Sequence, residues 1–132
     1  MEEIKQILAV NLIGTLATLN EDGSPWATPL HIFADDEALY WFSQPDHQHS
    51  VNVERDGRVS VALWSKQDGM AGAYISGIAT KLSAAETEKA LEIVVATIGA
   101  VPPVFAGTSA FRLPVGSLNP SKSGDKRWYF YT

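Results

Sequence analysis

Short runs of alternating apolar and polar residues occupy most of the chain, which is the pattern of half-buried β-strands. A helix precedes them, because apolar residues recur at helical spacing from Ile4 to Leu8 within residues 1–10. Turns at 20–23 and 34–37 join the first runs into two successive hairpins. The predicted strands cover residues 13–19, 25–33, 38–43, 58–66, 73–82, 110–113 and 126–131, with a short extended segment at 115–118.

Two more helices are predicted between the strands. A short one covers 46–54, with Asp46 as its N-cap residue, and a long one covers 84–99, with an S-x-x-E capping box that begins at Ser83. One substantial helix among six or more short strands, with tight turns between the first three, favours an antiparallel barrel over any β-α-β arrangement. We therefore expect one mainly β domain over residues 1–132, a six-stranded antiparallel barrel with Greek-key connections and peripheral helices.

The composition excludes several classes of protein. The 132 residues include no cysteine, which excludes a disulfide framework, a thiolate nucleophile and a cysteine-ligated metal. A net charge of −5 argues against a nucleic-acid partner. No apolar run approaches the roughly 20 residues that span a bilayer, and the acidic N-terminus lacks the basic start of a signal peptide. We expect a cytoplasmic protein with no membrane partner.

The charge is distributed unevenly along the chain. Residues 1–57 carry ten acids and two bases (−8), whereas residues 58–132 carry five acids and eight bases (+3). Two differently charged solvent faces would explain this difference. Alternatively, the more basic second half meets an anionic ligand or a second subunit.

Few residues offer catalytic or metal-binding chemistry. The three histidines are His31, His47 and His49, and their spacing matches no established metal-ligand pattern, so we predict no metal site. The chain has no G-x-S-x-G nucleophile motif and neither of the glycine-rich phosphate motifs G-x-G-x-x-G and G-x-x-x-x-G-K-[ST]. The sequence therefore assigns no catalytic residue.

The segment 40–63 runs from a strand through a helix start into the next strand. A helix N-terminus offers free amides and a partial positive charge, which suit a phosphate group. Ser43, His49 and Ser50 add hydroxyl and imidazole donors at that point. The same residues also fit a loop that only caps a helix.

The order of these features resembles the pyridoxamine 5′-phosphate oxidase-like, FMN-binding split-barrel family. The resemblance covers about residues 4–82 well and the last third of the chain loosely. The segments that carry it are LATLNEDGSPWATPLHIF, ALYWFSQPDHQHSVNVERDGRVSVAL and AYISGIATKL.

The resemblance implies a set of cofactor-binding residues. Strand two of the family contacts the flavin ring and ribityl chain, and the end of strand three contacts the phosphate. His49 stands where the family usually has a phosphate-binding lysine, and Ser50 follows it at the helix start. The C-terminal arginine and tryptophan of the oxidases have only approximate counterparts here. The positions that match are Thr28, Pro29, Leu30 and His31 on strand two, Phe42 and Ser43 on strand three, and Arg127 and Trp128 near the C-terminus.

The resemblance also implies a function. It is that of an FMN-dependent oxidoreductase, active as a homodimer with the cofactor at the subunit interface. A nicotinamide electron donor and a small-molecule substrate would be its partners. The alternatives are a non-catalytic protein that binds flavin, deazaflavin or haem, and a cofactor-free dimer, which the histidine in place of lysine would permit.

Overall fold

The computed structural model describes residues 1–67 and 70–132, and its elements follow most of the predicted segments. The helices are α1 (Glu2–Val10), α2 (Gln48–Arg55) and α3 (Ala84–Ile98), with a 3-10 turn at Pro103–Phe105. The strands are β1 (Ile13–Leu19), β2 (Pro25–His31), β3 (Phe33–Ala34), β4 (Ala38–Ser43), β5 (Arg58–Trp64), β6 (Gly72–Ile78), β7 (Thr80–Lys81), β8 (Ser109–Pro114), β9 (Ser117–Leu118) and β10 (Arg127–Tyr131).

The strands form the two sheets of a split barrel. The larger sheet has six strands in the order β2-β1-β5-β6-β10-β9, and the smaller has the order β3-β4-β8-β7. The chain passes from the larger sheet to the smaller at Ile32 and again at Ala79, both of which are buried. These bends divide two of the predicted strands, 25–33 and 73–82. The mainly β barrel with a six-stranded sheet and peripheral helices is confirmed.

One strand pairing differs from the antiparallel arrangement that we expected. β10 runs parallel to β6, with Arg127 beside Gly72 and Tyr131 beside Ser76. The other named strand pairings in the described part of the chain are antiparallel. The alternation of apolar residues identifies a strand but not the direction of its partner, which here lies 55 residues away (127 − 72).

The core is divided between the barrel interior and the outer face of the smaller sheet. Inside the barrel, Trp41 stacks on Phe111 with ring centroids 6.0 Å apart. On the outer face, Val94 of α3 packs in a cluster with Phe33 and Tyr40. The apolar stripe of α3 therefore covers the smaller sheet, whereas α2 contacts β1 and β2 of the larger sheet and β7 of the smaller one.

The start of α2 differs in one respect from the sequence prediction. His47, not Asp46, is the N-cap residue, and its side chain makes no capping hydrogen bond. The first backbone bond of the helix runs from Val51 N–H to the His47 carbonyl at 3.0 Å. The amides before it, those of residues 48–50, have no acceptor within the helix. Because no side chain caps these amides, the first turn of α2 is open to another acceptor.

Across the described residues, 1–67 and 70–132, the model has no helix long and apolar enough to cross a membrane.

Candidate functional site

A pocket of about 380 Å³ opens where β2, the end of β4, the start of α2 and residues 104–108 meet. We call it the β2–α2 pocket. It brings together seven of the ten residues that the sequence analysis predicted as cofactor contacts. These are Thr28, Pro29, Leu30, His31, Phe42, Ser43 and His49.

Ser43 and His49 form the buried end of the β2–α2 pocket. Ser43 Oγ lies 2.6 Å from His49 Nε2, and the two residues are 7% and 6% exposed. Burial lowers the pKa of the His49 imidazole below its usual value of 6.5, and the nearby His47 lowers this pKa further. The neutral ring is therefore favoured near pH 7, and it accepts the Ser43 hydroxyl proton when Nε2 is the unprotonated nitrogen.

Some lining residues were not predicted from the sequence. His47 and Gln44 line the pocket beside His49, and the segment 104–108 forms a further wall. Phe105 of that segment stacks on Phe42, with ring centroids 4.8 Å apart and an angle of 17° between the rings. The H-x-H spacing of residues 47 and 49 could have suggested His47, whereas no local pattern links 104–108 to strands 60 residues earlier.

Three of the predicted contacts lie outside the pocket. Ser50 is fully buried, and its hydroxyl has no hydrogen-bond partner among the described residues. Successive helical residues point about 100° apart, so His49 faces the pocket and Ser50 faces the barrel. Trp128 lines a separate pocket beside α1, and Arg127 donates to the Met70 carbonyl. β10 is separated from β2 by three strands of the larger sheet, so within one chain neither residue joins the pocket.

The charge of the β2–α2 pocket differs from that of the whole chain. All three histidines of the protein line it, whereas no aspartate or glutamate is among its described lining residues. The chain as a whole has 15 acidic and 10 basic residues. Together with the open first turn of α2, this lining favours an anionic ligand. The described part of the chain contains no group of three or more histidine and acidic side chains arranged to hold a metal ion.

Asn52 fixes α2 in the position that builds the pocket. Its side chain is fully buried, and its Nδ2 donates to Thr18 Oγ1 and to Asn20 Oδ1, at 3.0 Å each. Its Oδ1 accepts from Gln48 Nε2 at 2.8 Å and from Arg55 at 3.2 Å. These bonds join the helix to the end of β1 and thereby set the position of its first turn.

A two-sheet barrel in which an edge strand and a helix N-terminus share one pocket has the architecture of the split-barrel class. The family model described as pyridoxamine 5′-phosphate oxidase matches residues 1–121. The chain belongs to this family, which confirms the resemblance seen in the sequence. No curated protein matches the chain.

Solved structures with the same fold include a heme binding protein from Mycobacterium smegmatis, with 25% identity and a TM-score of 0.72 over 85% of this chain and 49% of that one. An FAD-binding protein from Mesorhizobium loti has 23% identity and a TM-score of 0.62 over 84% of this chain and 86% of that one. A protein of unknown function from Agrobacterium tumefaciens has 24% identity and a TM-score of 0.65 over 81% of this chain and 49% of that one. The chain thus spans about half the length of the first and third of these proteins.

Proposed function

We propose that this protein is an FMN-dependent oxidoreductase that binds the flavin in the β2–α2 pocket. The observation that carries the proposal is the combination, in one cavity, of a buried hydroxyl–imidazole pair, free helix amides and described lining residues that include no carboxylate. Its volume of about 380 Å³ lies within the usual range for small-molecule sites. The donors fit a phosphate group, and the β2 wall fits the flat remainder of a flavin.

The phosphate would bind at Ser43, His49 and the amides of residues 48–50. When His49 is protonated, its Nε2–H donates to Ser43 Oγ, and the serine hydroxyl proton is then free to turn toward an anion. The imidazolium charge and the partial positive charge of the α2 N-terminus both favour the phosphate. Histidine thereby takes the role that the family resemblance gives to lysine.

The ring would lie along β2, where Thr28, Leu30 and His31 line the pocket. FMN held there would supply two-electron redox chemistry between a nicotinamide donor and a small acceptor. The protein's own contribution is to hold and orient the ring. The stacked pair Phe42–Phe105 closes one side of the pocket with apolar surface and limits the access of water.

A second subunit would complete the site. The outer face of the larger sheet has small residues at its centre and large apolar residues around them, of which Trp64 and Tyr74 are 44% and 43% exposed. Such an exposed apolar surface is typical of a subunit interface. Within one chain, β10 is too far from the pocket to contact a cofactor there. In a dimer, the partner's Arg127 and the partner's Trp128 would be available to contact it.

The test is the absorbance spectrum of the purified protein, followed by titration of cofactor-free protein with FMN. We expect a flavin spectrum, one FMN bound per chain, and much weaker binding of riboflavin, which lacks the phosphate. Reduction of the bound flavin by a nicotinamide donor would establish the oxidoreductase activity. Absence of flavin binding would contradict the proposal.

A second candidate function is haem binding. Three imidazoles line the pocket, imidazole is a common axial ligand of haem iron, and the M. smegmatis protein named above is a heme binding protein. The same spectrum decides between the two candidates, because haem would give a Soret band in place of the flavin bands. A Soret band that disappears when one of the histidines is replaced would favour haem.

A further inference from the structure

The β2–α2 pocket has a second wall, distinct from β2 and from the polar end at the start of α2. It consists of Phe42 of β4 together with Val104 and Phe105 of the 3-10 turn. We call these three residues the apolar wall. Val104 lines the pocket and is nevertheless 73% exposed, which places this side chain at the mouth of the pocket. The phosphate contacts described above leave the apolar wall free for another ligand.

The apolar wall is held in place by aromatic packing. The ring of Phe105 stacks on Phe42 and meets Phe33 edge-on, with the centroids of Phe105 and Phe33 6.1 Å apart and an angle of 83° between the rings. Because two aromatic rings hold Phe105, its position is set without a ligand. Most of the surface of Val104, in contrast, is in contact with water and would lose that contact to an apolar ligand.

The polar groups of the segment that carries Val104 and Phe105 are largely used within the segment itself. The Phe105 amide donates to the Pro102 carbonyl at 2.9 Å, and the Ala106 amide donates to the Pro103 carbonyl at 3.1 Å. Thr108 Oγ1 donates to the Phe105 carbonyl at 2.6 Å. The segment therefore offers the pocket apolar side chains rather than these hydrogen-bond donors.

The segment also carries no charge. The 19 residues 93–111 include no aspartate, glutamate, lysine, arginine or histidine. The charged residues that flank this run, Glu92 and Arg112, line a separate cavity beside α3. A charged group placed against the apolar wall would lose hydration without gaining a partner there. This side of the pocket thus favours an uncharged ligand, whereas the polar end favours an anion.

We propose that the apolar wall binds the electron acceptor of this protein, and that the acceptor is an uncharged, planar molecule of the quinone class. The redox role of this ligand rests on the proposed function; the preference for an uncharged ligand rests on the wall alone. A quinone takes up two electrons and two protons when it is reduced. The nicotinamide donor supplies both electrons and one proton as a hydride, and water supplies the second proton.

The experiment compares two probes that differ by one charge, 1,4-naphthoquinone and 1,4-naphthoquinone-2-sulfonate. Their dissociation constants are measured by saturation-transfer NMR on the flavin-free protein at about pH 8, above the usual histidine range. We expect the uncharged quinone to bind at least about tenfold more tightly than the sulfonate. The chain has no cysteine, so neither quinone can add to a thiol of the protein.

Substitutions at Val104 test the contact. Val104→Ser should weaken 1,4-naphthoquinone about five- to tenfold, because it removes two methyl groups from the wall. Val104→Lys should weaken the uncharged probe and strengthen the sulfonate about threefold. Val101→Ser and Val101→Lys, the same changes at an exposed valine outside the described lining, are the matched controls and should change neither affinity.

Steady-state kinetics of the FMN-loaded protein test the acceptor role. Val104→Ser should raise KM for 1,4-naphthoquinone by the same factor and leave kcat unchanged, since the lost contact is equal before and during the reaction. Its FMN affinity should change less than about twofold. Equal losses of FMN and quinone affinity in Val104→Ser would show that the wall contacts the cofactor instead, and would overturn the inference.

The outcomes separate this inference from the proposed function. If FMN does not bind but 1,4-naphthoquinone does, with transfer from the Val104 methyl groups, the flavin proposal fails while the apolar wall stands as a site for an uncharged ligand. If FMN binds and the two quinones bind equally, the inference is refuted and the flavin site stands. A Val104→Ser protein with half the sedimenting mass of the wild type would also refute it, because Val104 would then be a contact between subunits.

Discussion

Asn52 is a fully buried amide whose donors and acceptor are all used within the protein, on Thr18, Asn20, Gln48 and Arg55. A buried polar group that loses its partner keeps its desolvation cost without compensation. Because these bonds join α2 to β1, the position of the imidazoles at the start of α2 depends on a residue that no ligand touches.

We predict that Asn52→Leu destabilises the protein by about 1–3 kcal/mol, since the substitution leaves the buried Thr18 hydroxyl without this donor. It should also weaken FMN binding, because the first turn of α2 shifts. Urea unfolding and FMN titration measure the two effects. Val51→Ala, a change at the exposed neighbour, is the control and should affect neither; an Asn52→Leu protein as stable as the wild type would contradict the anchoring role.

His49 should make FMN binding dependent on pH. Its pKa in the free protein lies below 6.5, chiefly because the ring is buried, and a bound phosphate raises it. Binding therefore takes up a proton. Affinity is highest below the pKa of the free protein and falls as pH rises through the pKa of the complex. We expect FMN affinity to fall between about pH 6 and pH 8, and riboflavin affinity to remain constant.

Variants at this position provide the controls for the pH dependence. His49→Lys should flatten the FMN curve while keeping or improving the affinity, because lysine stays charged throughout this range. The His49→Lys variant also serves as a control for protonation of the FMN phosphate itself. That protonation occurs near pH 6 and affects binding to both proteins. His49→Ala should weaken FMN selectively over riboflavin. Identical FMN titrations of the wild type and His49→Ala would rule out the phosphate role of His49.

The sequence predicted which residues surround the pocket better than it predicted their contacts. The spacing from Ser43 to His49 indicated that both lie near a helix start, but their hydrogen bond depends on how residues 44–47 fold back. Ser50 lies outside the pocket, which the sequence could not show, because a helical prediction that is uncertain by one residue rotates each side chain by about 100°. The role of His47 in lining the pocket was missed for the same reason.

At the scale of elements, α3 is held by its N-terminal cap and one apolar face. Ser83 Oγ accepts from the Glu86 amide at 3.2 Å, and the Glu86 carboxylate accepts from the Ser83 amide at 3.0 Å. This capping box was predicted from the sequence and is confirmed. The helix contributes no residue to the described lining of the β2–α2 pocket.

Ser83→Ala should therefore reduce the free energy of unfolding by about 1 kcal/mol while leaving FMN affinity unchanged. Ser83→Asp keeps an N-cap acceptor and should retain most of the stability. Thermal or urea unfolding, together with FMN titration of each variant, measures both quantities. A parallel loss of stability and FMN affinity in Ser83→Ala would show that α3 contributes to the site.

Local patterns predicted strands and helices but not the places where the chain changes sheet. Ile32 and Ala79 lie at the two bends, and both continue the apolar pattern of the strands that they interrupt. A bend at a barrel corner needs no glycine or proline at its centre, so nothing in the local sequence marks it. The pairing direction of β10 is likewise set by contacts with distant residues.

At the scale of the molecule, the exposed apolar outer face of the larger sheet is the surface on which we propose that a second subunit packs. Ala62 is at the centre of this face, opposite Thr15 on one neighbouring strand and Tyr74 on the other. An arginine at this position can extend into solvent in a single chain but would place a charge inside an interface between two chains.

We predict that the wild type sediments at about twice the 14.3 kDa mass of one chain, and that Ala62→Arg sediments as a monomer with weakened FMN binding. Ala85→Arg, the same change at an exposed position on α3, is the matched control and should remain dimeric. Sedimentation equilibrium at micromolar concentration distinguishes these cases. A wild-type monomer that binds FMN fully would contradict a site shared between subunits.

The parallel pairing of β10 with β6 has a consequence for synthesis in the cell. Residues 79–126 separate the two strands, so the nascent chain presents an unpaired edge of β6 to its surroundings while these residues leave the ribosome. The hairpin of β1 and β2 can form early, because only a short turn separates the two strands. The larger sheet, in contrast, is complete only after β10 has emerged as far as Tyr131 and has paired with β6. During that interval the unpaired edge of β6 is open to pairing with another chain.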